Sequence, residues 1–96
     1  MKPKLQWDKA KNQKLTVERD LNFEMVSDAF DLGAVVKDMD HPDPVRANQR
    51  MLLIRVNGYI CAVPYVQDGP VKFLKTMYYS RKYDELYGEN HGQKGK

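Results

Sequence analysis

Cysteine is almost absent from this sequence. The single thiol, Cys61, lies inside an apolar run, which excludes an internal disulfide and makes a buried, inert group the expectation. Tryptophan occurs once and histidine twice, so few groups are available for nucleophilic or metal chemistry. No apolar run approaches the roughly 18 to 20 residues that cross a bilayer, and the opening MKPKLQWDK has no apolar h-region. Neither a transmembrane helix nor a signal peptide is expected, and the cytoplasm is the expected compartment. Also missing are a Ser/His/Asp or Cys/His arrangement, a glycine-rich phosphate loop and a recognisable carboxylate pair. No cofactor is implied. Asp38, Asp40, His41 and Asp43 gather oxygens and an imidazole within six residues. They lack the central glycine and distal glutamate of a calcium loop and the further His or Cys of a zinc site, so no metal site is expected.

What is present fits one small domain over residues 1–88, followed by a polar, glycine-bearing stretch, 89–96, expected to be a disordered tail. The 96 residues are 42% hydrophobic and 30% charged, with a net charge of +3. Basic residues concentrate at 2–14 and 72–82 and acidic ones at 38–43, an asymmetry that points to a polyanionic partner.

Residues 4–7 alternate enough for a short edge strand. Asp8 can cap a helix over 9–19 by accepting the orphan N–H groups of its first turn, with Trp7, Ala10, Val17 and Leu21 as its apolar stripe. Lys9, Lys11 and Lys14 point away from that stripe, as a solvated face or a nucleic-acid contact. Asn22 caps a second helix whose Phe23, Val26 and Phe30 share a face, and Gly33 ends it. A short strand is expected at 34–37, and the polar run DMDHPDPVRAN after it is expected not to continue a sheet.

Residues 48–87 carry most of the candidate functional groups. Asn57-Gly58 predicts a type I′ hairpin, because both residues tolerate positive φ. Its two-residue loop sets Val56 against Tyr59, Ile54 against Cys61, Leu52 against Val63 and Arg50 against Tyr65 on one face. Arg55 with Ile60, Leu53 with Ala62 and Met51 with Pro64 make the other. Pro64 sits in a strand that should be central, where its missing N–H removes a ladder bond. An odd, bulged loop at 67–70 avoids that conflict and is the reading preferred, placing Lys75 with Leu52 and Val63, and Phe73 with Arg50 and Tyr65. Ser80 caps a short helix over 81–87, bringing Arg81, Lys82 and Lys75 to one junction. The fold expected is α+β, a small twisted antiparallel sheet of three to four strands with two N-terminal helices on one face and a short C-terminal helix.

Trp7-Asp8, Lys11-Asn12 and Phe23-Glu24 stand at the spacing of a pattern that resembles the BrnT-type toxins of bacterial type II toxin–antitoxin systems. Gln49-Arg50, Asn57-Gly58-Tyr59, Val63-Pro64-Tyr65, Phe73-Leu74-Lys75-Thr76 and Tyr79-Ser80-Arg81-Lys82 resemble a related toxin-like group, and the similarity runs over about residues 5–88. Two departures are visible. The pattern's basic-His-Gly turn is Glu18-Arg19-Asp20 here, and Tyr79 replaces a proline. The resemblance implies a RelE/ParE-like architecture and a metal-independent endoribonuclease that cleaves RNA through the ribose 2′-hydroxyl. It also implies an antitoxin partner, oligomers formed through that antitoxin, and operator DNA reached only through it. It places Arg50, Lys75, Arg81 and Tyr83 as catalytic residues. Lys11, Lys14, Arg19, Tyr65, Tyr79 and Lys82 become RNA contacts. The alternative is a non-catalytic module of the same fold that binds protein or nucleic acid.

Overall fold

Asn57 and Gly58 both take positive φ, 56° and 76°, and the turn they form sets the register of the central hairpin. Strand β3 (Arg50–Val56) and strand β4 (Tyr59–Asp68) pair in the expected alignment, from Val56 opposite Tyr59 to Arg50 opposite Tyr65. The computed structural model describes residues 4–88, and the tail expected at 89–96 lies outside the described residues. Around this hairpin the class is α+β, as expected, but the sheet is larger and mixed. Among the described residues it has six strands: β1 (Lys4–Trp7), β5 (Val71–Leu74), β4, β3 and β2 (Val35–Asp40) pair in that order, and β6 (Tyr78–Tyr79) is also on β4.

Strand β1 (Lys4–Trp7) runs parallel to β5 (Val71–Leu74), and β6 (Tyr78–Tyr79) is a two-residue piece beside Cys61 and Ala62. Strand β2 (Val35–Asp40) continues three residues further than the sequence suggests. The polar side chains in this extension do not stop the strand because they have partners. Asp38 and Asp40 lie opposite Leu52 and Arg50, and the Arg50 guanidinium reaches both carboxylates.

The loop before β5 is two residues, Gly69 and Pro70, with Asp68 opposite Val71. Gly69 takes φ 57°, a value a side chain disfavours and a tight hairpin needs. The preferred odd loop is therefore corrected. Lys72, not Phe73, shares the face of Arg50 and Tyr65, and Phe73 lies opposite Val66 on the other. Lys75 follows Phe73 to that other face, with its ammonium 5.4 Å from the Phe73 ring centre, and does not share the face of Leu52 and Val63. The nitrogen of Pro64 does point at the third strand. The pair it should form is half made: the Lys75 N–H donates to the Pro64 carbonyl at 2.9 Å, and no N–H returns. Immediately after it the strand breaks at Lys75-Thr76-Met77 and restarts as β6, shifted by one residue.

Helix α1 (Lys9–Arg19) and helix α2 (Phe23–Asp31) precede β2, and helix α3 (Arg81–Tyr87) ends the described chain. Their caps are as expected, with Asp8, Asn22 and Ser80 accepting from the N–H groups of Lys11, Met25 and Tyr83. Helix α2 buries Phe23, Val26 and Ala29 against Leu52, Ile54, Cys61, Val63 and Tyr65, each large side chain contributing about 1.5–3 kcal/mol. Helix α1 buries only Leu15, and Val17, expected on its stripe, is 81% exposed. The stripe fails because Leu15 and Val17 stand about 200° apart around a helix of about 3.6 residues per turn, so burying Leu15 turns Val17 to solvent; the helix then stops at Asp20, which takes φ 57°. Asp20 occupies the position of glycine in the resembled pattern, and it adopts the left-handed conformation for which glycine is best suited. Helix α3 packs Tyr83 and Tyr87 on the opposite face, against Met51, Leu53, Ile60 and Ala62.

The residues that carry the resemblance near the N-terminus bind one corner together. Asn12 accepts from the Phe23 N–H at 2.7 Å and donates to Glu24 at 2.9 Å, while the Trp7 and Phe23 rings meet at 5.6 Å. Their chemistry is that of a joint between β1, α1 and α2. Among the described residues, no helix is long and apolar enough to cross a membrane.

Candidate nucleic-acid interface

Two polar clusters lie back to back at the end of the sheet remote from the Asn57 turn. The first is on the face of α1 and α2, just beyond the apolar core. Arg50 donates to Asp38 at 3.2 Å and to Asp40 at 2.7 Å. The hydroxyl of Tyr65, a fully buried residue, donates to Asp38 at 2.7 Å and accepts from Lys72 at 3.1 Å and Arg50 at 3.3 Å. Lys72 also donates to Gln67 at 2.8 Å. The Tyr65 hydroxyl, desolvation opposing it, and the Asp38 carboxylate together leave the Arg50 guanidinium held in its charged form above its ordinary range. Two aspartates balance Arg50, so its charge is already spent within the fold.

The second cluster is a cleft of about 490 Å³ to which the strands contribute side chains of the opposite face and α1 contributes one wall. It is lined by Lys11 and Arg19 from α1, Lys75 and Thr76 from the strand break, Tyr78 from β6, His41, Arg46 and Gln49 from the β2–β3 connection, and Pro64 at its floor. Among the described residues, four cations line it and no carboxylate does. Arg46 lies 3.9 Å from Asp43 in an exposed pair, a contact of little energy. Arg19 is oriented by the break itself, donating to the Met77 carbonyl at 2.8 Å. Partial burial, with a smaller contribution from Tyr83, pushes the Tyr78 phenol above its usual range against the pull of Arg19 and Arg46. It therefore remains a donor at neutral pH. His41 accepts the Asp43 N–H at Nδ1, 3.1 Å, so the neutral ring carries its proton on Nε2 and presents a donor too. Such a surface offers positive charge and donors to phosphate oxygens.

The expected site residues divide between these places. Lys75, Lys11 and Arg19 meet in the cleft. Arg50 and Tyr65 belong to the balanced cluster behind it. Arg81 begins α3 and Lys82 follows, its ammonium 5.3 Å from the Tyr83 ring centre. Arg50 and Arg81 are thus on elements of opposite faces and are not brought together. Tyr83 is buried and stacks with Tyr87. Lys14 is exposed on α1 away from the lining. Tyr79 turns to the other face from Tyr78, lies edge-on to Tyr59 at 5.5 Å and accepts from Asn57 at 3.1 Å. His41, Arg46, Gln49 and Tyr78 were not among the expected residues. Asp43-Pro44 is an N-cap and first-turn signal for the short 3₁₀ turn Pro44–Arg46 that presents Arg46, whereas Tyr78 depends on the one-residue shift of β6.

Among the described residues, no three His, Cys, Asp or Glu side chains gather as a metal-ligand set. Strand alternation sends Asp38 and Asp40 to one face and His41 to the other. Compared with known protein families, curated proteins and solved structures, the chain matches none.

Proposed function

We propose that this chain is a toxin-like, metal-independent endoribonuclease that holds single-stranded RNA in the basic cleft and is silenced by a cognate antitoxin in the cytoplasm. One observation carries the reading: four cations, Lys11, Arg19, Arg46 and Lys75, converge on a cleft that no carboxylate lines among the described residues. Cleavage proceeds by attack of a ribose 2′-oxygen on the adjacent phosphorus as the bond to the 5′-oxygen breaks, leaving a 2′,3′-cyclic phosphate. The 2′-hydroxyl gives up its proton and the departing 5′-oxygen gains one. The four cations stabilise charge on the pentacovalent phosphorane, and the Tyr78 phenol and His41 Nε2–H donate to its oxygens. Lys14, Tyr79, Arg81 and Lys82 lie outside the cleft and are not assigned to the bound strand. Operator DNA is contacted only by the antitoxin.

A second reading is a binding module of this fold without turnover. It is favoured by the engagement of His41 Nδ1 with the Asp43 N–H, which takes the imidazole lone pair away from base catalysis, and by the pairing of Arg50 with Asp38 and Asp40. Incubating the purified protein with bulk RNA in a chelator separates the two. An enzyme shortens the RNA with turnover and leaves cyclic phosphate ends, whereas a binder only shifts its mobility. Intact RNA at stoichiometric protein, under conditions where binding is complete, refutes the nuclease.

A further inference from the structure

The balanced cluster and the cleft share a pair of strand ends. Asp40 and Arg50 are the last opposed residues of β2 and β3, and the next residues, His41 and Gln49, turn to the cleft. A single further rung joins them, the His41 N–H donating to the Gln49 carbonyl at 3.2 Å. β2 is an edge strand. On one side Met39 packs, partly buried, against the cluster of Met51 and Leu53. On the other side polar groups hold its final residues: Asp38 and Asp40 on β2 are bridged by Arg50 on β3, and Asp38 is tied onward to Tyr65 on β4 and Lys72 on β5.

We propose that Arg50 is a positioning residue, which locks the open end of the sheet and so holds His41 and Gln49 on the cleft wall. This deepens the reading of the cleft as an RNA site and rests on it. Arg50 does not line the cleft, faces away from it and has its guanidinium engaged by two carboxylates. Lysine cannot replace it, because one ammonium lacks the planar fork that spans both aspartates.

Direct contact and positioning predict opposite signs. The experiment measures binding of a fluorescein-labelled oligouridylate to the full chain, as a function of potassium chloride, for the wild type, Arg50→Lys, Arg50→Ala and the double variant Asp38→Asn/Asp40→Asn. Positioning predicts that all three variants bind roughly tenfold more weakly, the scale of losing one hydrogen bond to the ligand, with the wild-type salt slope retained. If Arg50 instead touches phosphate, removing the competing carboxylates tightens binding, and Arg50→Ala lowers the slope by about 0.7. Either result overturns the proposal. Amide hydrogen exchange at His41 provides a second readout that needs no RNA. It should quicken in Arg50→Lys at an unchanged global unfolding midpoint, and an unchanged rate overturns the proposal. A wild type that fails to bind the oligouridylate refutes the cleft reading alone, and the exchange rate at His41 then decides the role of Arg50.

Discussion

If the cleft binds the RNA backbone through its four lining cations, the salt dependence of that binding follows from their number. Each phosphate neutralised on a single strand contributes about −0.7 to the slope of log affinity against log salt, so Lys11, Arg19, Arg46 and Lys75 together set a slope near −2.8. Between 50 and 200 mM potassium chloride the affinity should fall roughly fifty-fold. Lys75→Gln removes one contact without disturbing the core, since Lys75 is exposed and its N–H bond to Pro64 is made by the main chain. The slope should then drop to about −2.1, and the fall over the same range to roughly twenty-fold. Fluorescence anisotropy of a labelled oligouridylate, titrated at several salt concentrations between about 50 and 200 mM, measures both slopes. Lys14→Gln, an exposed lysine outside the lining, is the matched control and should change the slope less. A wild-type slope near −1, or equal losses for Lys75→Gln and Lys14→Gln, would show that charge is read diffusely over the surface and that the cleft has no special role.

Three further outcomes follow from the packing. Tyr65→Phe removes the hydroxyl that joins Asp38, Lys72 and Arg50. It should cost about 1–2 kcal/mol in urea unfolding, the lower part of the range for bonds to charged groups because Asp38 remains within reach of water. Asp20→Gly relieves a left-handed residue at φ 57° and should raise stability by about 0.5–1 kcal/mol, with any loss counting against strain at that turn. Burial pushes the Cys61 thiol from 9.0 up to about 12, so the folded chain should resist alkylation at pH 8 until it unfolds. The folded state holds that proton more tightly than the unfolded state. The associated stability is therefore complete below pH 9 and lost as the pH rises towards about 12, which alkaline urea titrations of the wild type and Cys61→Ala will compare.

The parts of the fold that were legible in the sequence are those fixed by local chemistry. Asn57-Gly58 admits one hairpin geometry, and every pair from Val56 and Tyr59 to Arg50 and Tyr65 followed from it. Asp8, Asn22 and Ser80 cap their helices because their side chains reach the first-turn N–H groups without help from the rest of the fold. Illegible were features set by partners distant in sequence. The continuation of β2 through Asp38 and Asp40 depends on Arg50, Tyr65 and Lys72, which lie 10 or more positions away, and the parallel pairing of β1 with β5 has no local signature at all. Of the site, Lys11, Arg19 and Lys75 were identifiable as cations, but which of the basic residues would face one another depended on two registers.

Pro64 connects the misread register to the cleft. An odd loop would have hidden its missing N–H from the third strand, and a bulge would have absorbed the difference. The folded chain keeps the favourable Gly69-Pro70 turn and lets the defect face the strand, so that Lys75 donates to Pro64 and receives nothing in return. Beyond that pair the ladder shifts by one residue. The interruption exposes the Met77 carbonyl to Arg19, turns Tyr78 and Tyr79 to opposite faces, and leaves Lys75 and Thr76 on an open edge above Pro64. A residue with an N–H at position 64 would complete the pair and favour an unbroken strand. Pro64→Val should therefore lengthen β5 into the break and draw Lys75 and Tyr78 into regular alternation. It should stabilise the sheet by about 0.5–1.5 kcal/mol, the worth of one ladder bond. It should also reduce RNA binding more than Lys75→Gln does, because it rearranges several lining residues together. Loss of binding with the new amide at position 64 left unprotected in hydrogen exchange would break the link between the proline and the cleft.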